Sequence, residues 1–129
     1  MNKDDFTEVL QLLQDYYDGL YRLDVELLRD VFSPTAHYAT ITDGSLLTLS
    51  IDEYYERLAK RPSPAGQGVD YAFRVLSIRF AGESTALAEI ECSLFGHDYT
   101  DYLSLLRVDG RWRIQTKVFE GVPQLAREA

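Results

Sequence analysis

The sequence predicts an α+β domain in which three N-terminal helices pack on a curved, mainly antiparallel sheet. Apolar residues recur at helical spacing through the first half of the chain, and the period changes to two from Tyr71 onward. Within the second half, Val108-Asp109-Gly110-Arg111 is a two-residue type I′ hairpin signal.

The elements follow in order. Phe6, Val9, Leu10, Leu13, Tyr16, Tyr17, Leu20 and Leu23 lie on one stripe, so residues 4–22 are read as an amphipathic helix. Asp24 is placed to cap a short helix through Val31, ended by Pro34. His37 to Ile41 reads as a strand, and Thr42-Asp43-Gly44-Ser45 as a turn into a second strand at Leu46–Leu49. Ser50-Ile51-Asp52-Glu53 is a capping box opening a helix to about Lys60. Pro62, Pro64, Gly66 and Gly68 make the next segment a loop. Strands are expected near 71–80, 86–95, 100–108 and 112–119.

The 129 residues suit one domain, 1–129, with a C-terminal tail from about residue 122. Thirteen basic against twenty-one acidic residues give a net charge of −8, which repels nucleic-acid backbones and anionic lipid. No apolar run is long enough to cross a bilayer. Met1-Asn2-Lys3-Asp4-Asp5 carries acids where a secretion signal would be basic and then apolar, so a cytoplasmic location is expected. Cys92 is the single cysteine and sits in an apolar strand pattern, the setting of a small buried hydrophobe. His37 and His97 are far apart and lack acidic neighbours at ligand spacing, so no metal site is expected. His97 is read as a solvated turn residue. No Gly-rich phosphate loop, nucleophile elbow or Ser-His-Asp order occurs, and no cofactor is expected.

An unbroken hairpin at Asp109-Gly110 sorts the last two strands into faces. It puts Leu103, Leu105, Trp112, Ile114 and Val118 on one side with Asp101, and Tyr102, Ser104, Leu106, Arg113, Gln115, Lys117 and Phe119 on the other. Both sides carry apolar bulk, so both need a cover. The aliphatic side with Trp112 is assigned to a homodimer contact, and the mixed side to a ligand pocket beneath the helices.

Tyr16-Tyr17-Asp18-Gly19-Leu20-Tyr21-Arg22-Leu23-Asp24, then Phe32-Ser33-Pro34-Thr35-Ala36, then Asp101-Tyr102-Leu103-Ser104-Leu105 with Asp109-Gly110-Arg111-Trp112-Arg113-Ile114 and Lys117, resembles the nuclear transport factor 2-like superfamily. More narrowly it resembles the "putative lumazine-binding" branch, near the SnoaL-like polyketide cyclases. The resemblance implies a cystatin-like cone of helices on a curved sheet, a deep pocket and a dimer. Ketosteroid isomerase belongs to the same superfamily. Aligned with it, Tyr16 matches its hydrogen-bonding tyrosine, Thr40 stands where its general-base aspartate would be, and Ser104 where its neutral carboxylic acid would be. That isomerisation is therefore not expected.

The expected ligand site comprises Tyr16, Phe32, Tyr38, Tyr102 and Phe119 as walls, Thr40, Ser104 and Lys117 as polar contacts, and Cys92 as a small residue leaving room. A lysine on a strand beneath helices should meet an anion or a carboxylate. Asp101 is read as an interface or strand-end residue. The leading expectation is a small-molecule-binding protein for a flat aromatic or polyketide-like compound, dimeric through Trp112, Ile114, Leu103 and Leu105. The alternatives are an isomerase, dehydratase or cyclase in which Tyr16 or Lys117 polarises a carbonyl, and an interaction module with a vestigial pocket.

Overall fold

A computed structural model describes residues 3–124. Helix α1 spans Lys3–Arg22 and α2 spans Val25–Val31. The chain then forms β1 (Phe32–Thr40), β2 (Leu47–Ser50), α3 (Ile51–Ala59), β3 (Phe73–Phe80), β4 (Thr85–Leu94), β5 (His97–Val108) and β6 (Arg111–Pro123). Residue 122 therefore continues the last strand rather than opening a tail, and residues 125–129 of that expected tail lie outside the described residues. Among the described residues, no helix is long and apolar enough to cross a membrane.

The caps form as their sequences dictate. The Asp24 side chain accepts from the Leu27 amide at 3.1 Å. Ser50 and Glu53 exchange reciprocal bonds at the start of α3. Gly19 lets α1 and α2 approach closely, because a Cβ there would stand 2.6 Å from Leu28 Cδ2. On α1 the buried stripe is Val9, Leu13, Tyr16, Tyr17 and Leu20, while Phe6 and Leu10 lie at its exposed margin.

The curved sheet has strand order β2-β1-β6-β5-β4-β3. All neighbours are antiparallel except β1 and β6, which run parallel. The hairpin turns at Asp109 and Gly110, both at positive φ, as their residue types require. Leu105 opposes Ile114 as an unbroken hairpin demands, but Ser104 opposes Thr116. Gln115 is thus an extra residue on β6, a β-bulge. Its amide donates to the Thr35 carbonyl at 3.1 Å, and the β1–β6 register shifts in the same place, between Phe32 and His37. Pro34, which cannot donate to a ladder, lies inside that irregular stretch.

The bulge corrects the expected faces. Beyond Gln115 every β6 side chain changes side, so Lys117 and Phe119 join Asp101, Leu103, Leu105, Trp112 and Ile114 on the face beneath the helices. Leu103, Leu105 and Ile114 are fully buried core residues and do not form an outer face. Burial of such side chains contributes about 1.5–3 kcal/mol each. Trp112 is tied to α1: its indole N–H donates to Asp5 and its backbone N–H to Glu8, both at 3.0 Å. The outer face instead presents Tyr102 and Val118, each 49% exposed, beside Leu76 and Leu87. His97 opens β5, half-buried and stacked on Tyr99, rather than standing in a solvated turn.

Candidate functional site

Five elements converge on one hollow beneath the helices. From α1 comes Tyr16, from α3 Tyr54, from β1 Tyr38, and from the adjacent strands β5 and β6 Asp101, Lys117 and Phe119. Leu20 of α1, Cys92 and Leu94 of β4, and Tyr99, with the half-buried Arg61 and Phe95, complete the lining. The free volume is about 20 Å³, room for a single water molecule.

Helical spacing explains the tyrosines. Ile51, Tyr54, Tyr55 and Leu58 form the buried stripe of α3 and carry the Tyr54 hydroxyl inward. Tyr16 lies at the centre of the α1 stripe, its ring edge-on to Phe32 at 5.8 Å.

The polar groups form two linked pairs. Tyr16 Oη donates to Asp101 Oδ2 at 2.7 Å. Lys117 Nζ donates to Tyr54 Oη at 3.1 Å. The ammonium also lies 4.9–5.8 Å from the ring centroids of Tyr16, Tyr38, Tyr54 and Phe119, an aromatic cage of cation–π geometry. Asp101 Oδ1 is buried and has no hydrogen-bond partner among the described residues. Leaving a buried carboxylate oxygen unpaired is costly, so this oxygen is an acceptor available to a donor from outside the chain.

Burial pushes the Asp101 carboxyl above the usual carboxylate range, against the lowering effects of Lys117 and the Tyr16 hydrogen bond. Burial also raises Tyr16, with the Asp101 charge adding to it. For Lys117, burial works against the charge, but Tyr54 and Asp101 more than offset it and hold the ammonium above the ordinary lysine range. Burial, followed by the Asp101 charge, raises the Cys92 thiol well above its ordinary value, so its thiolate is disfavoured. The hollow thus pairs a weakly acidic carboxyl, suited to accept a proton, with a persistent cation.

The structure brings together Tyr16, Tyr38, Cys92, Lys117 and Phe119 of the expected residues. Phe32 stands behind the wall, packed on Tyr16 and Tyr54. Thr40 is buried at the end of β1, with its hydroxyl donating to the Phe119 carbonyl at 2.7 Å. Tyr102 and Ser104 are not in the hollow, because β5 turns the alternate residues Asp101, Leu103 and Leu105 toward the helices and leaves these two on the outer face. The reading of Asp101 as an interface or strand-end residue is corrected: it is buried and lines the hollow, three positions before Ser104. Asp101, Tyr54, Tyr99 and Arg61, with the apolar Leu20, Leu94 and Phe95, are the lining residues that the sequence reading missed. Tyr54 was recoverable from the α3 stripe; Asp101 was misplaced with its whole face.

A larger concavity, about 570 Å³, lies over the outer side of the sheet among Ile41, Leu46, Tyr102, Val118 and Val122. It is open, and the carboxylates that line it, Asp98 and Glu120, are exposed.

The model of a family described as "putative lumazine-binding" matches residues 4–120. The chain belongs to this family. Among curated proteins it is similar to "Aldolase FrzH" of a Cladobotryum species, 24% identical over 122 residues that cover 93% of this chain and 94% of that one. Among solved structures it is similar to an NTF2-like protein of unknown function from Shewanella baltica, with a TM-score of 0.84 at 21% identity, covering 96% of this chain and 98% of the other. A cystatin-like fold protein from Burkholderia xenovorans superposes with a TM-score of 0.68 at 11% identity, covering 96% of each chain. These neighbours establish an NTF2-like, cystatin-like fold.

Proposed function

We propose that this protein binds a small, flat carbonyl compound in the hollow and removes a proton from the carbon next to the carbonyl. The observation that carries the reading is the unpartnered Oδ1 of Asp101 beside the caged ammonium of Lys117. In the step, Asp101 Oδ1 takes the proton, the C–H electron pair forms the new C=C bond, and the carbonyl π pair moves to oxygen. Lys117 and Tyr54 are positioned to donate to that developing oxyanion, and Tyr16 orients the carboxylate. The enolate so formed is common to isomerisation, dehydration, cyclisation and aldol addition. The family's ligand-binding description and the likeness to a protein named as an aldolase support carbonyl chemistry.

The charge on Lys117 favours a hydrogen-bonding role over nucleophilic attack, since a Schiff base requires the neutral amine. Typical small-molecule pockets occupy 300–1,000 Å³, so a ligand must part the walls of the hollow to enter.

The test is deuterium uptake from D2O into a panel of methyl ketones, cyclic 1,3-diketones and hydroxyquinones, followed by NMR. Wild type should exchange at least one class, and Asp101→Asn should slow it by roughly 10²–10⁴-fold. Equal rates in both proteins would remove the proton-transfer step; binding without exchange would leave a carrier or sensor.

We also infer a homodimer, with the outer face supplied by Tyr102, Val118, Leu76 and Leu87 rather than by the buried Trp112 and Ile114. Sedimentation of Tyr102→Lys/Val118→Lys against wild type tests this: a monomeric wild type refutes it.

A further inference from the structure

We infer that the ligand of this hollow carries a carboxylate, recognised by Arg61 in its lining. This rests on the carbonyl reading above and adds the substrate class. Arg61 follows the C-cap of α3 and lines the hollow together with Asp101, Lys117 and Tyr99. Its guanidinium carbon lies 4.5 Å over the ring of Phe95, which orients the planar group. Phe95 belongs to the β4–β5 turn and has φ +52°, a conformation uncommon for a bulky residue, so the turn holds this ring in place at a local backbone cost.

The charge count favours an anion. The chain has eight more acids than bases, yet no carboxylate lies within 4.0 Å of Arg61 among the described residues. Lining the same hollow are two cations, Lys117 and Arg61, against one carboxyl, Asp101. A ligand with its carbonyl oxygen at Lys117 and Tyr54 and a carboxylate at the guanidinium would balance that excess. Arginine suits this task because its planar fork matches a carboxylate in a bidentate, charge-assisted pair. The geometry therefore points to an aromatic or cyclic keto acid.

The experiment compares 4-acetylbenzoate and 3-acetylbenzoate with their methyl esters. Each acid and ester presents the same enolisable methyl ketone and differs only in the charge. Binding is read by ligand-observed NMR, and proton transfer by deuterium uptake into the acetyl methyl. Wild type should bind at least one acid roughly tenfold or more tightly than its ester. Arg61→Gln should abolish that preference while leaving ester affinity unchanged, and Arg61→Lys should keep part of it. Equal binding of acid and ester by wild type, a preference that survives in Arg61→Gln, or no binding of any probe overturns the inference. Failure of the carbonyl reading looks different: the acid preference would persist and depend on Arg61, but exchange would be absent or indifferent to Asp101→Asn.

Discussion

Lys117 stands opposite Leu103 in the β5–β6 ladder, where an unbroken hairpin would pair it with Tyr102. That single step places its ammonium beneath the helices, 3.1 Å from the Tyr54 hydroxyl, instead of on the outer surface.

Deleting Gln115 should close the bulge with Lys117 still opposite Leu103 and Phe119 still opposite Asp101, both inward, while β6 loses its bond to Thr35 and its fit to the irregular stretch of β1. The expected result is a loss of stability larger than that of the point substitution Gln115→Ala, read by circular dichroism. Gln115→Ala removes only the bond to Thr35 and should cost about 1 kcal/mol. A deletion variant that melts like wild type would contradict the role assigned to the bulge.

Tyr16→Phe should move the acid limb of the deuterium-exchange profile to higher pH. The Tyr16 hydrogen bond lowers the Asp101 pKa, so its removal raises it, and the carboxyl ionises later on an alkaline titration. A limb that stays in place, or moves toward acid, would show that Tyr16 does not position the base.

Asp101 and Lys117 should be energetically coupled. Lys117→Met leaves the buried carboxyl without its nearby cation and is expected to cost about 3–5 kcal/mol. In an Asp101→Asn background the same substitution should cost less, by about 0.5–3 kcal/mol, measured by denaturant unfolding. The sign with pH also follows. The folded pKa of Asp101 lies above its unfolded value, so this group favours the folded state below the ordinary aspartate pKa. That contribution is lost as pH rises through the folded value. Wild type should therefore lose stability relative to Asp101→Asn across that interval; a widening advantage for wild type would refute the assignment.

Most of the fold was legible in the amino acids because its signals are local. Asp24, the Ser50/Glu53 box and Asp109-Gly110 each act within three or four residues, and each forms as read. The α1 stripe likewise placed Tyr16 inside. What the sequence could not reveal was the extra residue at Gln115. Its cause lies about eighty positions earlier, where the Ser33–Ala36 stretch of β1 is irregular and Thr35 accepts from Gln115. Alternation of apolar residues on β6 gave no warning, since Ile114, Val118 and Phe119 satisfy either register in part. A second error was independent of the bulge: the face carrying Asp101, Leu103 and Trp112 was taken as the outer one, although it is the face that packs beneath the helices. Lys117 and Phe119 reached the pocket side because two displacements cancelled, one in the choice of face and one in the register.

The lone thiol of Cys92 forms part of the hollow's wall and is only 5% exposed. Because it is the chain's single cysteine, any label it acquires reports one location. The rate at which a thiol reagent modifies the folded protein therefore measures how often the chamber becomes accessible. A molecule occupying that chamber should slow labelling in proportion to its occupancy, so the protein carries a native reporter for its own guests without an engineered probe.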